Sequence, residues 1–208
     1  MKEKIIKVNF GCLSSGLPGW INVDNARRHI VISKIPGLAK LLYSFGLLDK
    51  YIYDYHILGK FKNVVYGDAT KRMKFRSNSV DYIYSSHMLE HLYPRDAVYF
   101  LSECKRVLKK GGVLRLLLPD LEIENRKYLK SLGSPDAANE FSITIYANNK
   151  AKGYINSHKW MYDKYSLTDI LKKLGFEQVV DGKFKRGNFP SVGKLDSCKD
   201  SLIIEGVR

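Results

Sequence analysis

Short runs of β-branched and aliphatic residues recur along the chain between longer segments of helical periodicity. They are "KIIKVNF", "WINVD", "NVVYGD", "SVDYIYSS", "GGVLRLLLPD", "FEQVVDGKF" and "DSLIIEGV". Strands alternating with helical segments predict an α/β domain built on a mostly parallel sheet. Residues 113–118 are almost continuously apolar, as a central strand covered on both faces requires, and Arg115 is the interruption.

The clearest helical pattern starts at Pro94 or Arg95. Ala97, Leu101, Cys104, Val107 and Leu108 recur at three- and four-residue spacing, while Lys105, Arg106, Lys109 and Lys110 load the negative end. Gly111 and Gly112 predict its stop. A second amphipathic helix is "SLTDILKKLGF", with Ser166 as N-cap and Gly175 as terminator. Residues 27–62 carry Ile35, Leu38, Leu41, Leu42, Phe45, Leu47 and Leu48. They predict helices over the sheet, a lid over a site, or an apolar face resting on a membrane with lysines at the headgroups. No repeat, low-complexity run or linker divides the chain, so 208 residues are expected to form one domain, 1–208, with 27–62 as a helical insertion or lid.

Charge changes this picture more than composition does. Thirty-five Lys and Arg against 21 Asp and Glu leave a formal net charge of +14, which favours anionic partners: phosphates, nucleic acid or an acidic membrane surface. The competing reading is a well-solvated basic surface. Cys12, Cys104 and Cys198 lack C-x-x-C spacing, which argues against a disulfide framework and a cysteine zinc site, so no metal is expected and a reducing cytoplasm fits. The apolar run at the N-terminus is too short for a secretory segment, and no stretch reaches the roughly 18 residues of a spanning helix.

The opening stretch "VNFGCLSSGLPGWINVD" joins two strand-like runs through a loop rich in Gly and Ser and ends on Asp24. About ten residues of connection span at most roughly 30 Å. That is enough to return along a short strand but not to include a full crossover helix, so the alternatives are a truncated crossover or a hairpin. The crossover is favoured by what lies downstream. Gly11 lets the backbone approach a ligand, and a carboxylate ending the neighbouring strand can accept hydrogen bonds from a ribose diol. The full G-x-G-x-x-G is missing and the acid comes early for a dinucleotide site, which disfavours nicotinamide chemistry. "VVYGDAT", "DYIYSSHMLEHL" and "RVLKKGGVLRLLLPDL" place further polar groups after later strands, where open parallel sheets bind ligands.

In this order the motifs resemble those of the class I S-adenosylmethionine-dependent methyltransferases, in their type 11 branch. "NFGCLSSGLPGWINVD" is similar to a shortened glycine-rich first motif, "GDAT" to the adenine-contacting segment, and "SSHMLEHL" with "RVLKKGGVLRLLLPDL" to the branch's signature pair. The resemblance implies a Rossmann-like seven-stranded, mostly parallel sheet of order 3-2-1-4-5-7-6, with helices on both faces and the first crossover helix shortened. It implies S-adenosylmethionine as cofactor, with Asn9, Gly11 and Cys12 along the methionine moiety, Asp24 at the ribose, Asp68 and Ala69 at the adenine, and Ser85, Ser86 and His87 beside the sulfonium. Leu13 stands where the family often has glycine. Glu90 and His91 are expected to secure a helix start, and Trp20 and Trp160 to pack.

Transfer from a sulfonium is an in-line displacement on an activated carbon, so alignment supplies much of the rate and a base helps without being obligatory. His158, His87 and Asp120 are the candidate bases for a hydroxyl acceptor. The expected reaction is O- or N-methylation of a small or saccharide-like acceptor, with the branch's association with surface polysaccharides suggesting a glycan or glycolipid precursor. Two rivals remain. The charge and "KFKRGNFPSVGK", with Phe184 and Phe189 between basic residues, would suit RNA, although "SSHM" stands where base-amine methyltransferases carry Asn/Asp-Pro-Pro-aromatic. A clipped first crossover would suit a non-catalytic module that binds nucleotide or an anionic surface.

Overall fold

The structure, a computed structural model, describes residues 4–13, 16–146, 157–187, 189–196 and 198–208. Each of the seven apolar runs forms a strand: β1 (Lys7–Phe10), β2 (Ile21–Asp24), β3 (Val64–Tyr66), β4 (Val80–Ser86), β5 (Leu108–Pro119), β6 (Gln178–Asp181) and β7 (Ser201–Val207). They build one sheet of order β3-β2-β1-β4-β5-β7-β6, in which β7 runs antiparallel to β5 and β6 and all other pairs are parallel. The fold is the Rossmann-like one that the motif order implies.

Because β1 and β2 pair in parallel, Val8 opposite Ile21 and Phe10 opposite Val23, the opening connection is a crossover and not a hairpin. It has no helix among its described residues. The Asn22 side chain stands in for one: its Oδ1 accepts from the Leu17 N–H at 2.9 Å and its Nδ2 donates to the Leu17 and Trp20 carbonyls at 3.1 and 3.3 Å. A loop that satisfies its backbone on one buried amide can return along the sheet in few residues.

The main core lies on one face of the sheet, where Val8, Phe10, Ile83, Leu114, Leu116 and Ile204 meet α4 (Pro94–Val107) and α7 (Lys164–Lys173). Proline at the first turn of α4 costs nothing, since its missing N–H would have no intrahelical partner. The helix ends at Val107, earlier than the lysines and glycines suggest. Leu108 instead pairs with Val80 and opens β5, and Lys109 reaches Asp81 at 3.1 Å. The cap of α7 is Asp163 and not Ser166. Asp163 accepts from the Ser166 N–H at 2.7 Å, while the Ser166 hydroxyl answers the Asp163 N–H at 3.2 Å, a reciprocal box.

The opposite face is covered differently. α1 (Arg27–Lys34) sets Ile30 against Cys12 and Val64. Over β4, β5 and β7 lie residues 182–187 and 189–196, with the single turn α8 (Val192–Leu195). Trp20, Tyr84, Leu117, Phe189, Leu195 and Ile203 form a second core there, Trp20 stacking on Phe189 at 5.9 Å. Arg115 is no interruption of the strand. Fully buried, it points into this layer, forks onto both carboxylate oxygens of Asp196, pairs with Glu205 and donates to the Lys183 carbonyl at 3.0 Å. Phe189 is thus core and not a base-stacking platform. Trp160, expected to pack, is half exposed.

Residues 27–62 also contain α2 (Leu38–Ser44) and α3 (Lys50–Ile57), which pack on each other through stacked Tyr43 and Tyr53 and bury no residue of their own. Leu41, Phe45, Leu47, Ile57 and Leu58 are exposed, Phe45 by 71%. α5 (Leu121–Ser131) and α6 (Ala137–Tyr146) pair through Tyr128 and Phe141. No described helix is long and apolar enough to cross a membrane.

Candidate active site

The carboxyl ends of β1 to β4 lie along one rim of the sheet, and two cavities open there. The smaller, about 300 Å³, is lined by Gly11, Asp24, Gly67, Ala69, His87 and His91, with Ser157 and Lys159 arriving from the far end of the chain. The larger, about 710 Å³, is lined by Asn9, Cys12, Tyr84, Ser86, Lys60 and Lys194 among others. Gly11, Leu13 and His87 border both. The short opening loop, through Gly16 and Leu17, forms part of the wall of the larger cavity.

Gly11 holds the junction. Its φ of +75° is left-handed, and a Cβ there would come within 2.4 Å of Met88 Cγ and 2.6 Å of Met88 Cβ. Asp24, buried, points into the crevice beside it. Its Oδ2 accepts from the Leu13 N–H at 2.6 Å and its Oδ1 from Ala26 at 2.9 Å. Each carboxylate oxygen has about two acceptor sites, so each keeps one for an incoming hydroxyl.

Beyond β4 the chain makes a 3-10 turn, Leu89–His91, before α4. The helix start is not secured by Glu90: its N-cap is Tyr93, without a side-chain hydrogen bond, and the Glu90 carboxylate turns inward. Glu90 is 1% exposed and neither carboxylate oxygen accepts a hydrogen bond. His87 Nδ1 lies 3.3 Å from Oε1 without hydrogen-bond geometry, and its Nε2 meets Ser201 Oγ at 3.1 Å. The Glu90 carbonyl accepts from the Lys159 and Trp160 N–H groups at 2.7 and 3.2 Å, which brings His158 against His91, ring centroids 5.0 Å apart.

The candidate residues therefore divide. Gly11, Asp24, Ala69, His87 and His158 gather around the crevice or its floor, while Asn9, Cys12 and Ser86 line the larger cavity. Asp68 caps its own turn, its Oδ1 accepting from the N–H and hydroxyl of Thr70, and it faces a third cavity between β2, β3 and residues 71–75. Ser85 is buried with an unpartnered hydroxyl and lines neither of the two rim cavities. Asp120 is the N-cap of α5, accepting from Glu122 at 2.9 Å, and stands apart from both histidines' cavities.

Residues 52–116, from α3 through the middle of β5, match the type 11 methyltransferase domain family. Over this span the chain is similar to that family. Solved structures agree in fold. A SAM-dependent methyltransferase from Archaeoglobus fulgidus is 19% identical at a TM-score of 0.56, the alignment covering 100% of this chain and 87% of that one. A SAM-dependent methyltransferase from Thermotoga maritima is 18% identical at 0.51, covering 100% and 84%. PigF, solved with SAH, is 14% identical at 0.53, covering 98% and 50%. No curated protein matches the chain.

The crevice suits S-adenosylmethionine on its own chemistry. Gly11 lines it without a side chain, its missing Cβ making room for Met88, and Asp24 keeps acceptor capacity for a diol. Lys60 and Lys194 supply cations to the larger cavity, where a carboxylate would need them. Burial first and Asp24 second push the Cys12 thiol up to about 12, so it stays uncharged beside Gly11. Burial likewise raises Tyr84 to about 12, and its hydroxyl donates to the Leu195 carbonyl at 2.9 Å. His158 is held below the usual imidazole range, chiefly by burial, despite the opposing pull of Glu90. Sequence reasoning missed Lys60, Lys194 and the inward turn of Glu90. Exposed-looking lysines carry no local signal, and Glu90 sits in a motif that reads equally well as a helix cap.

Proposed function

We propose that this protein is an S-adenosylmethionine-dependent methyltransferase that transfers a methyl group to an oxygen or nitrogen of a small, anionic acceptor of saccharide-like character, in the cytoplasm, with surface-polysaccharide assembly as its setting. The convergence of Gly11, Asp24 and His87 on one crevice carries the reading. In it, Asp24 accepts the ribose hydroxyls, Asn9, Gly11 and Cys12 flank the methionine portion, Ala69 flanks the adenine, and Ser86 and His87 stand toward the sulfonium, while Asp68, facing the third cavity, and buried Ser85 support these segments from behind. Polar groups on the crevice wall, His91, Ser157 and Lys159, suit a hydroxylated acceptor, and Lys60 and Lys194 suit a phosphate or carboxylate. Of the candidate bases, His87 and His158 are better placed than Asp120, whose carboxylate is engaged at the start of α5. The test is transfer of label from S-adenosylmethionine to a panel of nucleotide sugars, sugar phosphates and glycolipid precursors. Labelling confined to RNA, with affinity that falls steeply with salt, would replace this acceptor class by nucleic acid. Tight cofactor binding with no labelled product would favour a non-catalytic module.

A second reading concerns where the acceptor resides. Exposed Leu41, Phe45, Leu47, Ile57 and Leu58 share the α2 and α3 segment with Lys34, Lys40, Lys50, Lys60 and Lys62, a composition suited to an anionic bilayer surface. It leaves residues 27–62 as an insertion that brings the larger cavity to a membrane-anchored acceptor. Sedimentation with vesicles containing anionic lipid, but not with neutral vesicles, is expected, and Phe45→Ser combined with Leu58→Ser should abolish it. Equal sedimentation with both vesicle types would refute it.

A further inference from the structure

Beside the crevice lies a cluster that the methyl-transfer reading uses only in part: His91 and His158 enter it singly, and Glu90 not at all. Glu90, His91 and His158 each offer one ligand-type atom, and these atoms lie within 4.8 Å of one another. Both Glu90 oxygens are buried without a hydrogen-bond donor, and although His87 Nδ1 lies 3.3 Å from Oε1, Oε2 has no such neighbour among the described residues, a costly state for a carboxylate unless a cation completes it. The Tyr162 hydroxyl, buried beside the same charge and raised to about 12 by burial and then by Glu90, has no partner either. Such unpaired groups converge where a ligand belongs.

The histidines are arranged to ligate. His158 Nδ1 faces the Ile145 carbonyl at 3.2 Å and His91 Nδ1 faces the Ser157 carbonyl at 3.4 Å. A carbonyl only accepts, so the ring nitrogen that faces it carries the proton and Nε2 keeps its lone pair. Backbone carbonyls that fix the tautomer in this way are the usual outer partners of ligating histidines. Two imidazoles and one carboxylate, with the remaining positions left to solvent or substrate, form a donor set for a borderline divalent transition ion. Magnesium or calcium would call for oxygen ligands.

We propose that Glu90, His91 and His158 bind one divalent transition-metal ion, with Zn²⁺ the best match, at the acceptor side of the crevice. His91 lines the crevice that Asp24 also lines, so the ion's remaining positions are available to an acceptor hydroxyl or phosphate. The site stands on its own donor set and does not depend on the acceptor class proposed above. The expectation of no metal came from cysteine spacing. It did not address a site whose third ligand, His158, is joined to the other two only by folding.

The test uses the full chain carrying Cys198→Ser, which removes the exposed thiol as a competing ligand, after chelator treatment and dialysis. Titration calorimetry with Zn²⁺ should give one equivalent per chain, and Co²⁺ should give visible d–d absorption characteristic of nitrogen and oxygen ligation without a thiolate band. Glu90→Gln and His158→Ala should each weaken Zn²⁺ binding by more than the roughly 10–100-fold that outer partners alone cost. S-adenosylmethionine affinity, measured in the same samples, separates loss of the metal from loss of the fold or of the cofactor site. Should Glu90→Gln fail to fold, the Co²⁺ spectrum of the parent and the His158→Ala titration still decide. Absence of a one-equivalent site in the parent, or affinities unchanged in both variants, would overturn the proposal.

Discussion

Replacing Gly11 by alanine tests the junction of the two cavities with a single methyl group. The backbone there is left-handed, φ +75°, which costs an L-residue about 1–2 kcal/mol. The new Cβ would also lie 2.4 Å from Met88 Cγ and 2.6 Å from Met88 Cβ. Rotating the Met88 side chain clears the first contact but not the second, since Cβ is fixed by the backbone of the turn after β4. Overpacking of this kind costs about 1–3 kcal/mol. The combined expectation is a loss of about 2–5 kcal/mol. Gly46→Ala is the control: its φ is similar, +68°, and nothing lies within 4 Å of the added carbon, so only the conformational cost applies. Urea unfolding followed by circular dichroism should show a lower midpoint at constant slope for both, with the larger drop at Gly11. Equal losses at the two glycines would show that β1 and the turn after β4 are not held in contact, and would refute the geometry given to the crevice.

Two further outcomes follow from buried charge. Arg115→Met leaves Asp196, fully buried, without its cation and is expected to cost about 3–5 kcal/mol in denaturant unfolding, whereas adding Asp196→Leu should recover most of the loss; no recovery would mean the pair is not isolated from solvent. His29, His56 and His158 all sit below the ordinary imidazole value of 6.5, each chiefly through burial. The unfolded chain therefore takes up protons first on acidification. Stability should be constant above about pH 7 and fall as pH drops through 6.5 and on toward the lowered folded values. A melting temperature that rises between pH 7 and 5.5 would contradict this sign.

Much of the fold could be read from the chain because its signals are local. Seven β-branched runs became seven strands, and Pro94 opened α4 as its sequence implies. What escaped was set by partners distant in sequence. Lys109, Lys110 and the paired glycines mimic a helix end, but Leu108 already pairs with Val80, a contact that only the sheet supplies. Arg115 looked like a flaw in a central strand because Asp196 and Glu205, which neutralise it, come 81 and 90 residues later. At the site, Gly11 and Asp24 were legible since the parallel pairing of β1 and β2 brings them together over a short loop. The meeting of Glu90 with His158 was not, because it depends on Lys159 and Trp160 docking against the turn after β4.

The central proposal is that Asp24 holds the ribose of S-adenosylmethionine, with Gly11 beside it along the methionine portion. The direct measurement is calorimetric titration of the cofactor into the parent chain and into Asp24→Asn, which keeps the shape but exchanges one acceptor oxygen for a donor and removes the charge. Hydrogen bonds to a charged acceptor are worth about 1.5–3 kcal/mol, and each 1.4 kcal/mol is tenfold in affinity. The account predicts one cofactor per parent chain and at least about tenfold weaker binding to the variant; equal affinities would contradict it.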